Sequence, residues 1–332
     1  VSKLRVGLVG AGYLGTIHAR LLANQNVTWT GIYDLDPTRS QKAATDFKGT
    51  AVDSLPQLID QSDALVVASA TSSHYEIGRQ ILSAGKHLFL EKPITVTPEE
   101  GETLVSLAKS KNLCLQVGHV ERFSRAYRSL GTSHPKPQFV EAHRLSQFRP
   151  RGTDVAVVLD LMIHDLDLIL NLMGEYPSGV EAAGVAVISE GVDIANARLT
   201  FPSGAVANVT ASRISANPMR KLRMFAEDSY IALDFATGST QVFRIAHPGE
   251  EHLAGTTSLG EIEKAAVKRN ILFSTPSAPE GNAIEMEQQA FFHAIETGTP
   301  APVTGQDGLN ALKLATEILK KIGATEVATG RQ

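Results

Sequence analysis

Three features of the sequence predict an α/β chain of two domains. The first is a glycine-rich turn, Gly10-Ala11-Gly12-Tyr13-Leu14-Gly15, set between a short apolar run and a helical segment. The second is the alternation of strand and helix signals from there to Val117, which is the pattern of a doubly wound parallel sheet covered by helices on both faces. The third is a change of pattern further on. Between Gln138 and Ile245 strand-like runs dominate, around one long apolar helix. Strands in series with short turns make an antiparallel sheet. The expected division is 1–118 for the parallel domain and 119–332 for an α/β domain with a large, mostly antiparallel sheet.

Composition narrows the function classes. A chain of 332 residues exceeds one ordinary core. Its 43% apolar and 20% charged content is that of a soluble globular protein. A net charge of −4 argues against a nucleic-acid or anionic-membrane partner. The single cysteine, Cys114, leaves no internal disulfide and fits a reducing compartment. Within Leu113–Val117 it reads as an inert core thiol. The chain enters a strand at once, which leaves no room for a signal peptide. The run 155–173 carries four ionisable residues and is a poor membrane span. The expected location is cytoplasmic.

Leu4–Val9 is rich in valine and leucine and reads as a central strand, and Thr16–Leu22 reads as a helix. Between them Gly10, Gly12 and Gly15 form G-x-G-x-x-G in the context that gives the motif meaning. Gly10 permits the tight turn, Gly12 lets a pyrophosphate approach the backbone, and Gly15 lets the helix pack on its strand. The helix N–H groups then face the phosphates. Val27–Tyr33 reads as a second strand, ended by Asp34, 19 residues past Gly15. A carboxylate there accepts from the ribose hydroxyls of NAD and repels the 2′-phosphate of NADP. The alternatives are a turn role for Asp34 and a 2′-phosphate contact from Arg39.

Asp36 with Pro37 starts the next helix. Ala64–Ser69, His87–Leu90 and Leu113–Val117 count as the fourth, fifth and sixth strands. Tyr75–Ala84 reads as a helix stopped at Gly85, and Thr97–Glu100 as a capping box opening a helix to about Lys111. Polar residues gather where the strands end: Ser69, Thr71 and His74, then Glu91-Lys92-Pro93, then His119 and Glu121. Lys92-Pro93 is a candidate cis peptide. In a parallel α/β sheet ligands bind at these carboxyl ends.

Gln138–Ser146 reads as a strand and 147–154 as a loop. Val155–Leu170 follows as a helix, with Asp154 as N-cap and Gly174 as stop. Nearly all of it is apolar, yet Asp160, His164 and Asp167 stand at i, i+4 and i+7 on one face. Buried charge is costly unless it is paired or lines a wet cavity. The stripe is therefore one wall of an active site or a satisfied buried His–Asp pair. Asp165 points elsewhere. Strands are expected at Val180–Ile188, Ala195–Phe201, Ala205–Ser212, Lys221–Ala226, Tyr230–Phe235 and Gln241–Ile245, with a hairpin turn at Pro202-Ser203-Gly204. Residues 248–279 are polar and proline-punctuated and read as a surface segment near the substrate. Helices at Ile284–Thr297 and Asp307–Ile322 follow.

Taken in series, Gly10-x-Gly12-x-x-Gly15, Glu91-Lys92-Pro93 and Asp160-x-x-x-His164-x-x-Asp167 resemble the Gfo/Idh/MocA family of NAD(P)-dependent oxidoreductases over essentially the whole chain. The resemblance implies an N-terminal Rossmann domain, a C-terminal domain whose large open sheet commonly forms the oligomer interface, and a homodimer or homotetramer. It implies that Lys92, Asp160 and His164 line the reaction centre. In that role His164 is the general base, Lys92 stabilises the reacting oxygen and Asp160 orients the site. Asp167 acts there or bonds the cofactor domain. The cofactor is NAD in preference to NADP, held by Gly10, Gly12, Tyr13, Leu14, Gly15, Asp34, Ser69, Thr71, His74, Glu91 and Lys92. No metal is implied. The helix motif and the Gly118–Phe123 turn look most like the branch that oxidises the 3-hydroxyl of UDP-N-acetylglucosamine, on the route to lipid A. Ser124-Arg125 departs from the Asn-Pro usual there. Substrate contacts would come from Lys92, His119, Glu121, Arg149, Asp160 and His164, with Arg144, Arg149, Arg151 and Arg213 as candidates to grip a diphosphate. The rival readings are a dehydrogenase of a free sugar or inositol and a non-catalytic dinucleotide sensor.

Overall fold

The computed structural model describes residues 3–131, 134–148, 155–247, 254–264 and 267–328. In chain order the elements begin with β1 (Arg5–Val9), α1 (Tyr13–Leu22), β2 (Thr28–Tyr33), α2 (Pro37–Phe47), α3 (Leu55–Gln61), β3 (Ala64–Val67), α4 (Thr71–Ser83), β4 (His87–Glu91), α5 (Pro98–Ser110) and β5 (Leu115–Gly118). A 3-10 turn at Val120–Phe123 leads to α6 (Arg125–Arg128) and β6 (Phe139–Leu145), and a π-helical turn at Val158–Met162 runs into α7 (Ile163–Met173). Then come β7 (Gly179–Val185), β8 (Ile194–Thr200), β9 (Val206–Ser212), β10 (Met219–Phe225), β11 (Ser229–Asp234), β12 (Ser239–Ile245), β13 (Thr257–Lys264) and β14 (Val267–Ser274). Helices α8 (Ala283–Thr297) and α9 (Gly305–Ala328) follow.

The chain divides into two compact units, Val1–Val120 with Asn282–Lys313 and Glu121–Gly281 with Leu314–Gln332. The expected boundary after residue 118 lies beside the first break. Asn282–Lys313, expected in the second domain, joins the first unit.

The first unit holds a five-stranded sheet in the order β2-β1-β3-β4-β5, with every pair parallel. It has five strands where the strand count from sequence implies six. Between β2 and β3 the β pairing among the described residues is the single bridge Ile32↔Ala51. The strand order reverses between β1 and β3, which makes their carboxyl ends the ligand crevice of such a sheet. The helix starts follow local chemistry. Asp36 caps α2 by accepting from Thr38 N–H at 3.0 Å, with Pro37 at the first helical position. Thr97 and Glu100 form the reciprocal box at α5. Helix α4 begins at Thr71, four residues before the expected Tyr75. Its N-cap Ala70 carries no capping side chain, so the usual start signal was missing. Cys114 lies just before β5 and is half-buried. Burial pushes its thiol up to about 11, which keeps it inert.

The second unit holds a nine-stranded sheet in the order β13-β14-β12-β11-β10-β6-β9-β8-β7. It is antiparallel except for β6 beside β9. Helix α7 packs on one face against β6 and β9. That face buries Val140, Ala142, Val209, Leu222, Met224, Ile231 and Leu233. The β8–β9 hairpin turns at Pro202-Ser203-Gly204, where Gly204 has φ +85°. Residues 248–279, read as a surface segment, contain the β13–β14 hairpin at the sheet edge. Leu259, Ile262 and Val267 on it are exposed. The outer strand β13 is exposed from Thr257 to Glu263 and lacks the alternating apolar pattern that announces a strand.

Candidate active site

The turn from β1 to α1 is built for phosphates. Gly10 has φ +96°, and a Cβ there would lie 2.7 Å from the Ala68 carbonyl oxygen. A Cβ at Gly15 would lie 2.0 Å from the Gly10 carbonyl oxygen, so the helix sits on its own turn. Gly12 differs, because a Cβ there would meet nothing within 4 Å. The space above it is open. Helix α1 has no side-chain cap at Gly12 and no acidic residue in its first turn. Its leading N–H groups and dipole are thus left for an anion. Tyr13 is exposed and Leu14 half-buried beside them.

Asp34 closes the same turn. One carboxylate oxygen accepts from Ala11 N–H at 2.6 Å and the other from Asp36 N–H at 2.9 Å. The carboxylate is fixed next to the glycines and half-buried. Across the crevice Ser69 and Thr71 stand at the end of β3 and the first turn of α4, a second helix N-terminus without a capping side chain. Open glycine, free helix N-terminus and fixed acid together fit a dinucleotide.

His74 is 1% exposed, and its ring nitrogens lie 2.9 Å from Pro93 O and 3.1 Å from Ser69 O. Burial, opposed by those carbonyls, lowers its pKa. His74, expected at the cofactor, ties the end of β3 to the Lys92-Pro93 turn.

That turn carries the cis Lys92-Pro93 peptide. Lys92 is half-buried, and its backbone N–H donates to Glu91 Oε2 at 3.2 Å. Glu91, also expected at the cofactor, is buried, and its other oxygen accepts from His18 at 2.8 Å. Burial alone would raise the Glu91 pKa. The His18 hydrogen bond and the Lys92 charge outweigh it and hold the carboxyl below the usual range. His119 is buried at the end of β5, with its backbone N–H donating to Val117 O.

In the second unit the expected stripe is broken. Val158–Met162 is a π turn, and α7 starts only at Ile163. Asp160 therefore lies in the wider turn and His164 in the α-helix. Both are half-buried. Gly174 ends the helix with φ +64°. Asp167 is not part of a wet wall. It is 1% exposed and takes both Arg122 Nε at 2.7 Å and Nη2 at 2.6 Å. Arg122 lies in the same unit, so the alternative of a bond to the cofactor domain does not hold either.

Asp165 makes the matching pair on the other side of the helix, with Arg144 Nε and Nη2 each at 2.9 Å. Arg144 also reaches Glu121 at 2.7 Å. Burial works against the Arg144 charge, but Asp165 and Glu121 hold its pKa above the ordinary value. Glu121, Arg144 and Asp165 thus form one buried ion-pair cluster, with Arg220 3.5 Å from Glu121. Arg213 is buried, bonds Val155 O and lies 3.9 Å from Asp193. Arg149, Arg151 and Asp154 lie outside the described residues. Sequence reasoning missed His18 and the two arginine pairs. The signal for His18 was present, as a lone imidazole among Gly15, Ala19 and Leu22 on the buried side of α1.

Residues 4–119 match the family model described as oxidoreductase family, NAD-binding Rossmann fold, and residues 128–232 match the GFO/IDH/MocA C-terminal domain. The chain belongs to the Gfo/Idh/MocA family. As a member it is similar to UDP-N-acetylglucosamine 3-dehydrogenase of Acidithiobacillus ferrooxidans, with 33% identity over 95% of this chain and 96% of that protein. A solved structure of that enzyme superposes with a TM-score of 0.85 at 30% identity, covering 98% of this chain and 99% of the other. Myo-inositol 2-dehydrogenase of Thermotoga maritima is 25% identical over 96% of each chain. This Gfo/Idh/MocA chain is thus a nicotinamide-dependent dehydrogenase of CH–OH groups with an NAD-binding Rossmann domain.

Proposed function

We propose that the protein oxidises the 3-hydroxyl of UDP-N-acetylglucosamine with NAD. One observation carries this reading: similarity along almost the whole chain is 33% to the UDP-N-acetylglucosamine enzyme against 25% to the inositol enzyme. Bound NAD supplies the hydride acceptor. His164 takes the hydroxyl proton as general base. Lys92 donates a hydrogen bond to the reacting oxygen and stabilises its developing negative charge. Asp160 orients the sugar. Gly10, Gly12, Tyr13, Leu14 and Gly15 take the pyrophosphate, Asp34 the ribose, and Ser69 and Thr71 flank the nicotinamide half.

With Arg144 engaged by Asp165 and Glu121, Arg149 and Arg151 are the arginines we assign to the diphosphate. Remote binding energy at the diphosphate then positions the sugar hydroxyl. The ketone formed would pass to an aminotransferase on the way to a diamino sugar for lipid A, in the cytoplasm. The inositol reading rests on the second similarity, and substrate competition separates the two. Rates should fall at least about a hundredfold with free N-acetylglucosamine or inositol in place of the nucleotide sugar. Equal or faster turnover of inositol would transfer the assignment.

We also propose a homodimer or homotetramer formed through the uncovered face of the nine-stranded sheet. Phe139, Phe225, Tyr230, Phe243 and Phe273 stand opposite one another across β6, β10, β11, β12 and β14. Successive ring centroids are 4.8–5.7 Å apart. Phe225 is 36% exposed. A continuous aromatic stripe on a sheet face is the composition of an interface core.

A further inference from the structure

A buried hydrogen-bond chain in the first unit ends on the backbone of Lys92. It begins on α8, where the Gln288 side chain accepts from Gln25 and donates from Nε2 to His18 Nδ1 at 2.7 Å. In this arrangement Nδ1 is the acceptor, so the ring proton sits on Nε2. That nitrogen donates to Glu91 Oε1 at 2.8 Å. Glu91 Oε2 in turn receives the Lys92 N–H. His18 and Gln288 are 0% exposed and Glu91 is 7% exposed. Packing fixes the ring as well, since His18 stands edge-on to Phe89 at 5.5 Å and Phe89 likewise to Phe291 at 5.8 Å. On the far side Glu91 lies across Gly118, its partner on β5. A Cβ at Gly118 would fall 2.8 Å from Glu91 Oε2. The carboxylate is therefore confined from both sides.

We propose that His18, with its tautomer set by Gln288, is a positioning residue for Lys92 and acts by fixing the Glu91 carboxylate. This rests on the role given to Lys92 above. A carboxylate with one oxygen on His18 and the other on the Lys92 N–H cannot rotate without losing both bonds. Losing the His18 donor leaves a buried acceptor unsatisfied, which costs more than an absent bond. The carboxylate then turns to find another donor, and the Lys92 turn loses its anchor. A purely structural role would couple α1 to α8 and lower the melting temperature, with no selective effect on turnover.

The test compares Lys92→Ala, His18→Leu, His18→Gln and Gly118→Ala with the unmodified enzyme. The readouts are kcat and KM for NAD with the sugar it oxidises, NADH affinity by fluorescence, and melting temperature. His18→Leu should lower kcat at least about tenfold while KM for NAD and NADH affinity stay within about threefold. His18→Gln presents an amide N–H to Glu91 and should restore most of that loss. Gly118→Ala reaches the same carboxylate from the sheet side, where its Cβ would fall 2.8 Å from Glu91 Oε2 and 3.2 Å from the Glu91 Cα. It should reproduce the split even if His18→Leu does not fold. If Lys92→Ala is inactive but His18→Leu or Gly118→Ala turns over normally, the positioning role is wrong and the reading of Lys92 stands. If Lys92→Ala itself turns over normally, both fall.

Discussion

Gly12 and Gly15 stand three residues apart in one motif, and their surroundings give them opposite expectations. A Cβ at Gly12 meets nothing within 4 Å, so Gly12→Val should leave the melting temperature nearly unchanged and abolish NADH binding. A side chain at Gly15 runs into the Gly10 carbonyl, so Gly15→Ala should destabilise the first unit. Thermal unfolding and NADH fluorescence, measured on both variants, separate the two. Asp34 allows a similar distinction. Both its oxygens are occupied by backbone N–H groups, so Asp34→Ala would disturb the turn as well as the charge. Asp34→Asn keeps an acceptor and removes the charge. The unmodified enzyme should prefer NAD over NADP by at least about tenfold in kcat/KM, roughly 1.4 kcal/mol, and Asp34→Asn should narrow the gap. An unchanged ratio would remove Asp34 from cofactor choice. The glycines and Asp34 were legible because their spacing belongs to one βαβ unit. The partners of Glu91 and Asp167 were not, because hydrogen bonds from His18 and Arg122 cross 73 and 45 residues of sequence.

At the scale of elements, α7 is held on both sides. Asp165 grips Arg144 of β6, and Asp167 grips Arg122 of the preceding 3-10 turn. His164 directly precedes Asp165 on this helix, so its rotation about the helix axis is set by these pairs. Arg144→Met would leave the buried Asp165 carboxylate without its hydrogen-bonded cation and Glu121 with Arg220 at 3.5 Å. The expected cost is about 3–5 kcal/mol, measured by urea unfolding. A change below about 1 kcal/mol would mean that the charges reach water. Helix ends written in the sequence appeared where expected, as at Asp36, Thr97 and Gly174. The π turn did not, because its apolar residues and those of an α-helix read alike over so short a span. The early start of α4 and the β13–β14 hairpin were missed for a related reason, since neither carries a cap or an apolar alternation.

For the whole molecule the sequence pattern was strongest where burial is strongest. The parallel strands and the inward faces of the large sheet follow from their apolar runs, whereas the return of Asn282–Lys313 to the first unit is a long-range packing outcome with no local mark. The uncovered aromatic stripe leads to an expectation about assembly. Phe225→Asp should shift the molecular mass in light scattering from oligomer toward monomer, with a melting transition still present; an unchanged mass would move the interface elsewhere. The chemistry needs its own measurement. His164→Ala and Lys92→Ala should each lower kcat about a hundredfold or more with NADH affinity little changed. The central claim is tested most directly by NADH formation from NAD and UDP-N-acetylglucosamine, with a carbonyl-trapping reagent present because alcohol oxidation by NAD is uphill near neutral pH. Steady NADH production is expected with the nucleotide sugar, and at least about a hundredfold less with free N-acetylglucosamine or inositol. Rapid NADH production from inositol or a free hexose, with none from the nucleotide sugar, would contradict it.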